Sequence, residues 1–160
     1  MFNVEMYTGN REENYELAKK QLRALLHDEK NQIANLSNAS ALLNQFLDRI
    51  NWVGFYLMDT NGELVLGPFQ GLPACIRIPV GKGVCGTAAL KQETIRVEDV
   101  HQFPGHIACD AASQSEIVIP LVKDGQLIGV LDIDSPETNR FDELDQQQLE
   151  EFTAVLVEYL

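Results

Sequence analysis

The chain has 160 residues, 45% of them hydrophobic and 22% charged, which is enough for one domain whose core needs neither disulfides nor a metal. Its 24 acidic and 12 basic residues give a net charge of −12, a surface that repels phosphate backbones and anionic lipid, so neither nucleic acid nor membrane is expected as a partner. No apolar run approaches the roughly 18 residues of a membrane span, and the start Met1-Phe2-Asn3-Val4-Glu5 lacks the basic opening and apolar stretch of a leader, so the cytoplasm is the expected location.

Two helical segments come first. Tyr15, Ala18, Leu22, Leu25 and Leu26 recur at helical spacing over Asn14 to Leu26, and Leu36, Ala39, Leu43, Phe46, Leu47 and Ile50 do so over Ile33 to Ile50. The pattern then turns to strands. Trp52 to Met58 is aromatic and branched, and Asp59-Thr60-Asn61-Gly62 turns it into a second strand, Glu63 to Leu66. Residues 67–115 alternate poorly and read as long loops with one short helix, Val84 to Lys91. A second hairpin follows, with Glu116 to Val122 and Gln126 to Asp134 flanking Lys123-Asp124-Gly125. A last helix opens on Asp142 as its N-cap and carries Leu149, Phe152, Val155, Leu156 and Tyr159 on one side. No repeat or linker divides residues 1–160. The predicted fold is a single α+β domain, helices on a central antiparallel sheet with loops over its site.

Three cysteines, Cys75, Cys85 and Cys109, are an odd count for a chain without a leader. Structural disulfides are rare in a reducing compartment, which leaves inert core thiols, metal ligands or reactive thiols. The glycine run Gly81-Lys82-Gly83-Val84-Cys85-Gly86 has the spacing of a dinucleotide loop, but it precedes hairpins rather than a parallel βαβ unit, so no nucleotide is expected. Its geometric consequence is different: it delivers Cys85 to the first turn of a helix, where the dipole favours a thiolate of lowered pKa. His106, Cys109, His101 and Asp110 lie close in sequence, yet they lack the paired clusters of a zinc site, and no metal or cofactor is expected. Cys109 falls in a loop after the Pro104-Gly105 turn.

Acidic residues interrupt the last strand. Asp132 and Asp134 are two apart and share a face. A three-residue loop at Lys123-Asp124-Gly125 would pair Val122 with Gln126 and set Glu116 opposite Asp132 on that face. A two-residue Asp124-Gly125 loop would turn Glu116 to the other side, and a bulge near Pro120 would change the parity again. If the three carboxyls converge, their repulsion keeps at least one protonated toward neutral pH, able to donate to an oxygen leaving group.

These stretches carry a family resemblance. Ile78-Pro79-Val80-Gly81-Lys82-Gly83-Val84-Cys85-Gly86-Thr87-Ala88-Ala89, Gly105-His106-Ile107-Ala108-Cys109-Asp110, Ser115-Glu116-Ile117-Val118 and Gly129-Val130-Leu131-Asp132-Ile133-Asp134-Ser135 closely resemble the free methionine-(R)-sulfoxide reductases, which are GAF domains. The resemblance extends to Asn51-Trp52-Val53-Gly54-Phe55-Tyr56. It implies a GAF fold and an oxidoreductase that acts on free methionine (R)-sulfoxide. By that resemblance Cys109 is the attacking thiol, Cys75 the principal resolving thiol and Cys85 the third thiol. Thioredoxin is the implied reductant. The resemblance makes Glu116, Asp132 and Asp134 the substrate-binding acids, with Trp52 and Tyr56 as the aromatic wall. The rival expectation within the same fold is a non-enzymatic module that senses a small ligand or redox state. A homodimer through the terminal helices is a further expectation.

Overall fold

The computed structural model describes residues 7–160; the start Met1 to Glu5, used above to judge a leader, lies outside them. In chain order the elements are α1 (Arg11–Leu26), α2 (Gln32–Phe46), β1 (Trp52–Met58), β2 (Glu63–Gly71), β3 (Arg77–Pro79), α3 (Gly83–Lys91), β4 (Ile95–Val97), a single 3-10 turn (Val100–Gln102), β5 (Ser115–Lys123), β6 (Gln126–Ser135) and α4 (Glu143–Val157). The strands form one six-stranded sheet in the order β3-β2-β1-β6-β5-β4, and every paired neighbour is antiparallel. The expected α+β layout is what folds. No helix among the described residues is long and apolar enough to cross a membrane.

Strand alternation divides the interior into two cores. Val53 and Phe55 of β1, Ile117, Ile119 and Leu121 of β5, and Leu131 and Ile133 of β6 face one way and pack with Leu22, Leu36, Leu43, Leu149 and Phe152 from α1, α2 and α4. Trp52, Tyr56, Leu64, Val118 and Val130 face the other way, against Val84, Cys85, Ala88 and Ala89 of α3. The central strands are thus covered on both faces, which is why β5 and β6 read as nearly continuous apolar runs. Glu116 and Asp132, on these strands, are buried by the fold.

Local chemistry sets the element ends. Asn10 and Asn31 cap α1 and α2, accepting from Glu13 N and Ala34 N, and Asp142 with Asp145 makes a capping box at α4. Arg11 clamps Asp142 in two hydrogen bonds of 2.7 and 2.8 Å, tying α1 to α4. The Tyr15 hydroxyl donates to Asp145 at 2.7 Å in the same seam. α2 stops at Phe46 rather than at Ile50, because Leu47 is extended and Arg140 draws on Asp48, donating from Nε to its carbonyl and from Nη2 to its carboxylate.

The stretch expected to be loops is more ordered than its sequence suggests. β2 runs on to Gly71, and three-residue β3 and β4 close the sheet edges. The β1–β2 register shifts between Gly54 and Tyr56, where β2 carries Gly67-Pro68; this bulge hides the strand's continuation from a period-two pattern.

Candidate active site

Two of the three hairpin alternatives operate together. Asp124 (φ 52°) and Gly125 (φ 77°) form a two-residue loop, with Lys123 paired to Gln126. That loop alone would turn Glu116 away from the acids. A bulge between Leu121 and Val122, where β6 carries the extra residue Ile128, restores the parity. Glu116 therefore lies opposite Asp134, not Asp132 as the three-residue loop required. Trp52 pairs with Asp134 from the other side, so Trp52, Asp134 and Glu116 form one row across β1, β6 and β5. In the next row Asp132 sits opposite Gly54, which has no side chain to fill the space.

α3 crosses this face and sets Cys85 over the acids, its Sγ 3.9 Å from Glu116 Oε1. The expectation of a low-pKa thiolate at that helix start is overturned. Burial pushes the Cys85 thiol well up, and the charges of Asp132, Glu116 and Asp134 add to the shift. A dipole contribution at a helix terminus is small beside complete desolvation.

The loops above the face carry the other two cysteines. Cys75 and Cys109 are joined as a disulfide, Cα to Cα 5.6 Å, and Cys85 remains a buried free thiol. Both loops are held from below by β1 and the residue before it. Trp52 Nε1 donates to the Leu72 carbonyl at 3.1 Å, and the Tyr56 hydroxyl donates to the Cys75 carbonyl at 3.0 Å. Asn51 Nδ2 donates to Asp110 Oδ2 at 2.9 Å and to Ser113 Oγ at 3.1 Å, tethering the Cys109 loop. Trp52 stacks between Tyr56 (5.9 Å) and Phe69 (5.2 Å). Seven of the eight residues singled out from the sequence line one cavity of about 40 Å³, and the eighth, Cys75, joins it through its bond to Cys109. That is room for a few waters.

Burial dominates the electrostatics. It raises the Glu116 carboxyl well above its ordinary range, helped by the charges of Asp132 and Asp134. It raises Asp134 as well, helped by Asp132 and Asp110. Asp132 is pushed up to about 6, because burial is partly offset by hydrogen bonding with Glu116 and Cys85. Asp132 Oδ1 is buried without a hydrogen-bond partner. His106 Nε2 lies 3.9 Å from Glu116 Oε2, but burial lowers the imidazole pKa, so this contact joins two neutral groups rather than an ion pair. Cys85 Sγ and carboxylate oxygens of Glu116 and Asp132 lie within 4.8 Å of one another, close enough to share a cation. Three donors fall short of the four that structural zinc takes.

Sequence reasoning missed Asn51, Gly54, Ser113 and His106. Gly54 had a readable signal, a glycine inside an aromatic strand. A Cβ there would sit 2.2 Å from Phe69 Cβ and 2.8 Å from Trp52 Cη2. Gly54→Ala is therefore expected to destabilise the protein by about 1–3 kcal/mol and to shift the emission of Trp52, the single tryptophan. Denaturant melts followed by fluorescence check both.

The family profile described as GAF domain matches residues 37–158. The free methionine-R-sulfoxide reductase of Escherichia coli is 54% identical over 151 residues, covering 94% of this chain and 91% of that protein. The reduced form of fRMsr of Staphylococcus aureus is 56% identical with a TM-score of 0.89, covering 100% of this chain and 99% of that one. The free methionine-R-sulfoxide reductase of Neisseria meningitidis in complex with its substrate is 44% identical with a TM-score of 0.94, covering 99% and 95%. This chain belongs to the GAF family, in its branch of free methionine-R-sulfoxide reductases.

Proposed function

We propose that this protein reduces free methionine (R)-sulfoxide to methionine in the reducing cytoplasm, with thioredoxin as its electron donor. The observation that carries the reading is the Cys75–Cys109 disulfide set over three carboxyls of raised pKa, of which Glu116 and Asp132 are buried. The Cys109 thiolate attacks the sulfoxide sulfur while a protonated carboxyl, Glu116 or Asp134, gives its proton to the departing oxygen. The substrate S–O bond breaks as the hydroxyl passes to Cys109, so methionine leaves and Cys109 is left as a sulfenic acid. The Cys75 thiol displaces that hydroxyl as water and forms the disulfide. A dithiol then returns two electrons and two protons, so the net reaction takes sulfoxide and dithiol to methionine, water and disulfide.

Asp132, whose Oδ1 is buried without a partner of its own, holds the substrate ammonium. Trp52 and Tyr56 wall the methyl-sulfur end, where their faces suit developing positive charge. The first turn of α3 lines the same cavity, and its amides lack intrahelical acceptors, which suits the α-carboxylate. A methionine sulfoxide within a peptide lacks both charges and would leave these groups unpaired, so the free amino acid is selected.

Coupled oxidation of NADPH through thioredoxin reductase and thioredoxin tests the reading with each epimer of free methionine sulfoxide. Turnover is expected with the R epimer and at least about 10²-fold less with the S epimer, which turns its oxygen away from the carboxyls. Equal rates, or none with the R epimer, would refute it.

A further inference from the structure

The catalytic cycle proposed above ends on a disulfide that this chain cannot reopen. Its third cysteine, Cys85, is buried beneath the cavity, while Cys75 and Cys109 are both partly exposed. The donor must come to the rim of the site, and that rim differs from the rest of the surface.

In a chain with 24 acidic residues, no Asp or Glu occurs between Glu63 and Glu93, the stretch that holds Cys75. None occurs between Asp99 and Asp110, the stretch that holds Cys109. Arg77, Lys82 and Lys91 fall in the first stretch. Arg77 is paired with Asp59 and Glu63, but among the described residues no ion pair engages Lys82 or Lys91. The region around the disulfide is thus a weakly basic island on a strongly acidic molecule.

Apolar exposure concentrates on the same island. Leu72 is 64% exposed, Ile76 68%, Leu90 64% and Ile107 37%; among the described residues only Ile33 and Val122 are comparable elsewhere. Leu72 and Ile107 line the cavity together with Cys109. Ile76 follows Cys75, and Leu72 precedes it by three. On the other side, a Cβ on Gly83 would lie 3.0 Å from Ile107 Cγ1, and one on Gly81 3.6 Å from Leu90 Cδ2. Exposed apolar side chains gathered in one patch mark an interaction surface.

We propose that this acid-poor apolar rim is the docking surface for the protein dithiol that reduces Cys75–Cys109, and that the partner meets it with an apolar face of acidic surround. The inference rests on the proposed catalytic cycle. A partner thiolate attacks one sulfur of the disulfide; the S–S bond breaks, a mixed disulfide forms and the released thiolate takes a proton. The partner's second thiol then attacks the mixed disulfide, so the partner leaves oxidised and both cysteines leave reduced. An acidic partner is repelled by the rest of this surface and drawn to the island, which steers the encounter. Four apolar side chains suit the small, short-lived contact of a redox pair rather than a permanent dimer. A second copy meeting this face with its own would set Lys82 and Lys91 against like charges, so it fits poorly.

Ile76→Glu and Leu90→Glu test the rim, because neither side chain lines the cavity; Ile33→Glu is the control on the opposite face. Each variant is assayed with thioredoxin, with glutaredoxin and with dithiothreitol. The expected result is a KM for the protein reductant raised at least about tenfold in the two rim variants. Turnover with dithiothreitol and the KM for sulfoxide stay within about twofold of wild type. An unchanged KM for the protein reductant, or an equal loss with dithiothreitol, overturns the proposal. So does a rim variant that dissociates a dimer without slowing reduction, which would give the face to a second copy. Wild type reduced by glutaredoxin but not thioredoxin refutes the choice of thioredoxin while the rim is read with glutaredoxin. Wild type reduced by dithiothreitol and by neither protein overturns the docking surface itself.

Discussion

Cys109→Ser is expected to lower turnover of free methionine (R)-sulfoxide by roughly 10³-fold or more, because no other thiol can reach the sulfur as a nucleophile. Cys85 is fully buried with its pKa pushed well up, so its thiolate population is too small to substitute. The companion variants separate the roles. Cys75→Ser is expected to release about one methionine per chain and then stall, since the sulfenic acid on Cys109 has lost its resolving partner. Cys85→Ser is expected to keep multiple turnover, because the Cys75–Cys109 bond forms without it. Rapid-quench measurement of methionine against enzyme concentration distinguishes a burst from sustained turnover. Sustained turnover by Cys109→Ser would contradict the assignment outright.

Asp132→Asn is expected to make the protein more stable and much less active. The Asp132 carboxyl is pushed up to about 6 from an ordinary value of 3.8, so the folded state binds its proton more tightly than the unfolded chain does. Stability therefore falls as pH rises from below about 4 through about 6, as the buried carboxyl is forced to ionise. Glu116 and Asp134, also raised, carry the same sign to higher pH. The asparagine avoids that penalty. Its stability advantage over wild type should be near zero at pH 4 and on the order of 2 kcal/mol at pH 7. Taking the difference between variant and wild type cancels the opposite trend of carboxyls such as Asp142, which Arg11 holds well below the usual range. Activity should fall about 10²–10³-fold, chiefly through KM, as the substrate ammonium loses its counter-charge. Urea melts of the oxidised protein at several pH values, with kinetics alongside, check both halves. An advantage that shrinks as pH rises would contradict the buried-acid reading.

Long, periodic elements were legible because their signals are local. α1 and α4 announce themselves through apolar spacing and through caps such as Asp142, and the hairpin at Asp59 to Gly62 through its turn residues. β3 and β4 were not, because three residues cannot display a period. β2 appeared to stop at Leu66 because the Gly67-Pro68 bulge breaks its alternation. The pairing of Glu116 turned on two features that cancel in parity, a two-residue loop and a bulge at Ile128, and only the three-dimensional register resolves them. Cys85 shows the same limit: its position at a helix start was readable, but the burial that reverses the helix's effect on its pKa depends on β5 and β6, more than thirty residues later. Asn51 and Ser113 lie 62 residues apart and carried no signal of their own.

The most direct test is a single turnover without reductant. Fully reduced protein is mixed with a slight excess of free methionine (R)-sulfoxide, then denatured, alkylated and mapped by mass spectrometry. The expected result is about one methionine released per chain, with Cys75 and Cys109 recovered as one disulfide and Cys85 alkylated. Methionine released while Cys75 and Cys109 both remain alkylated, or no methionine at all, would contradict it.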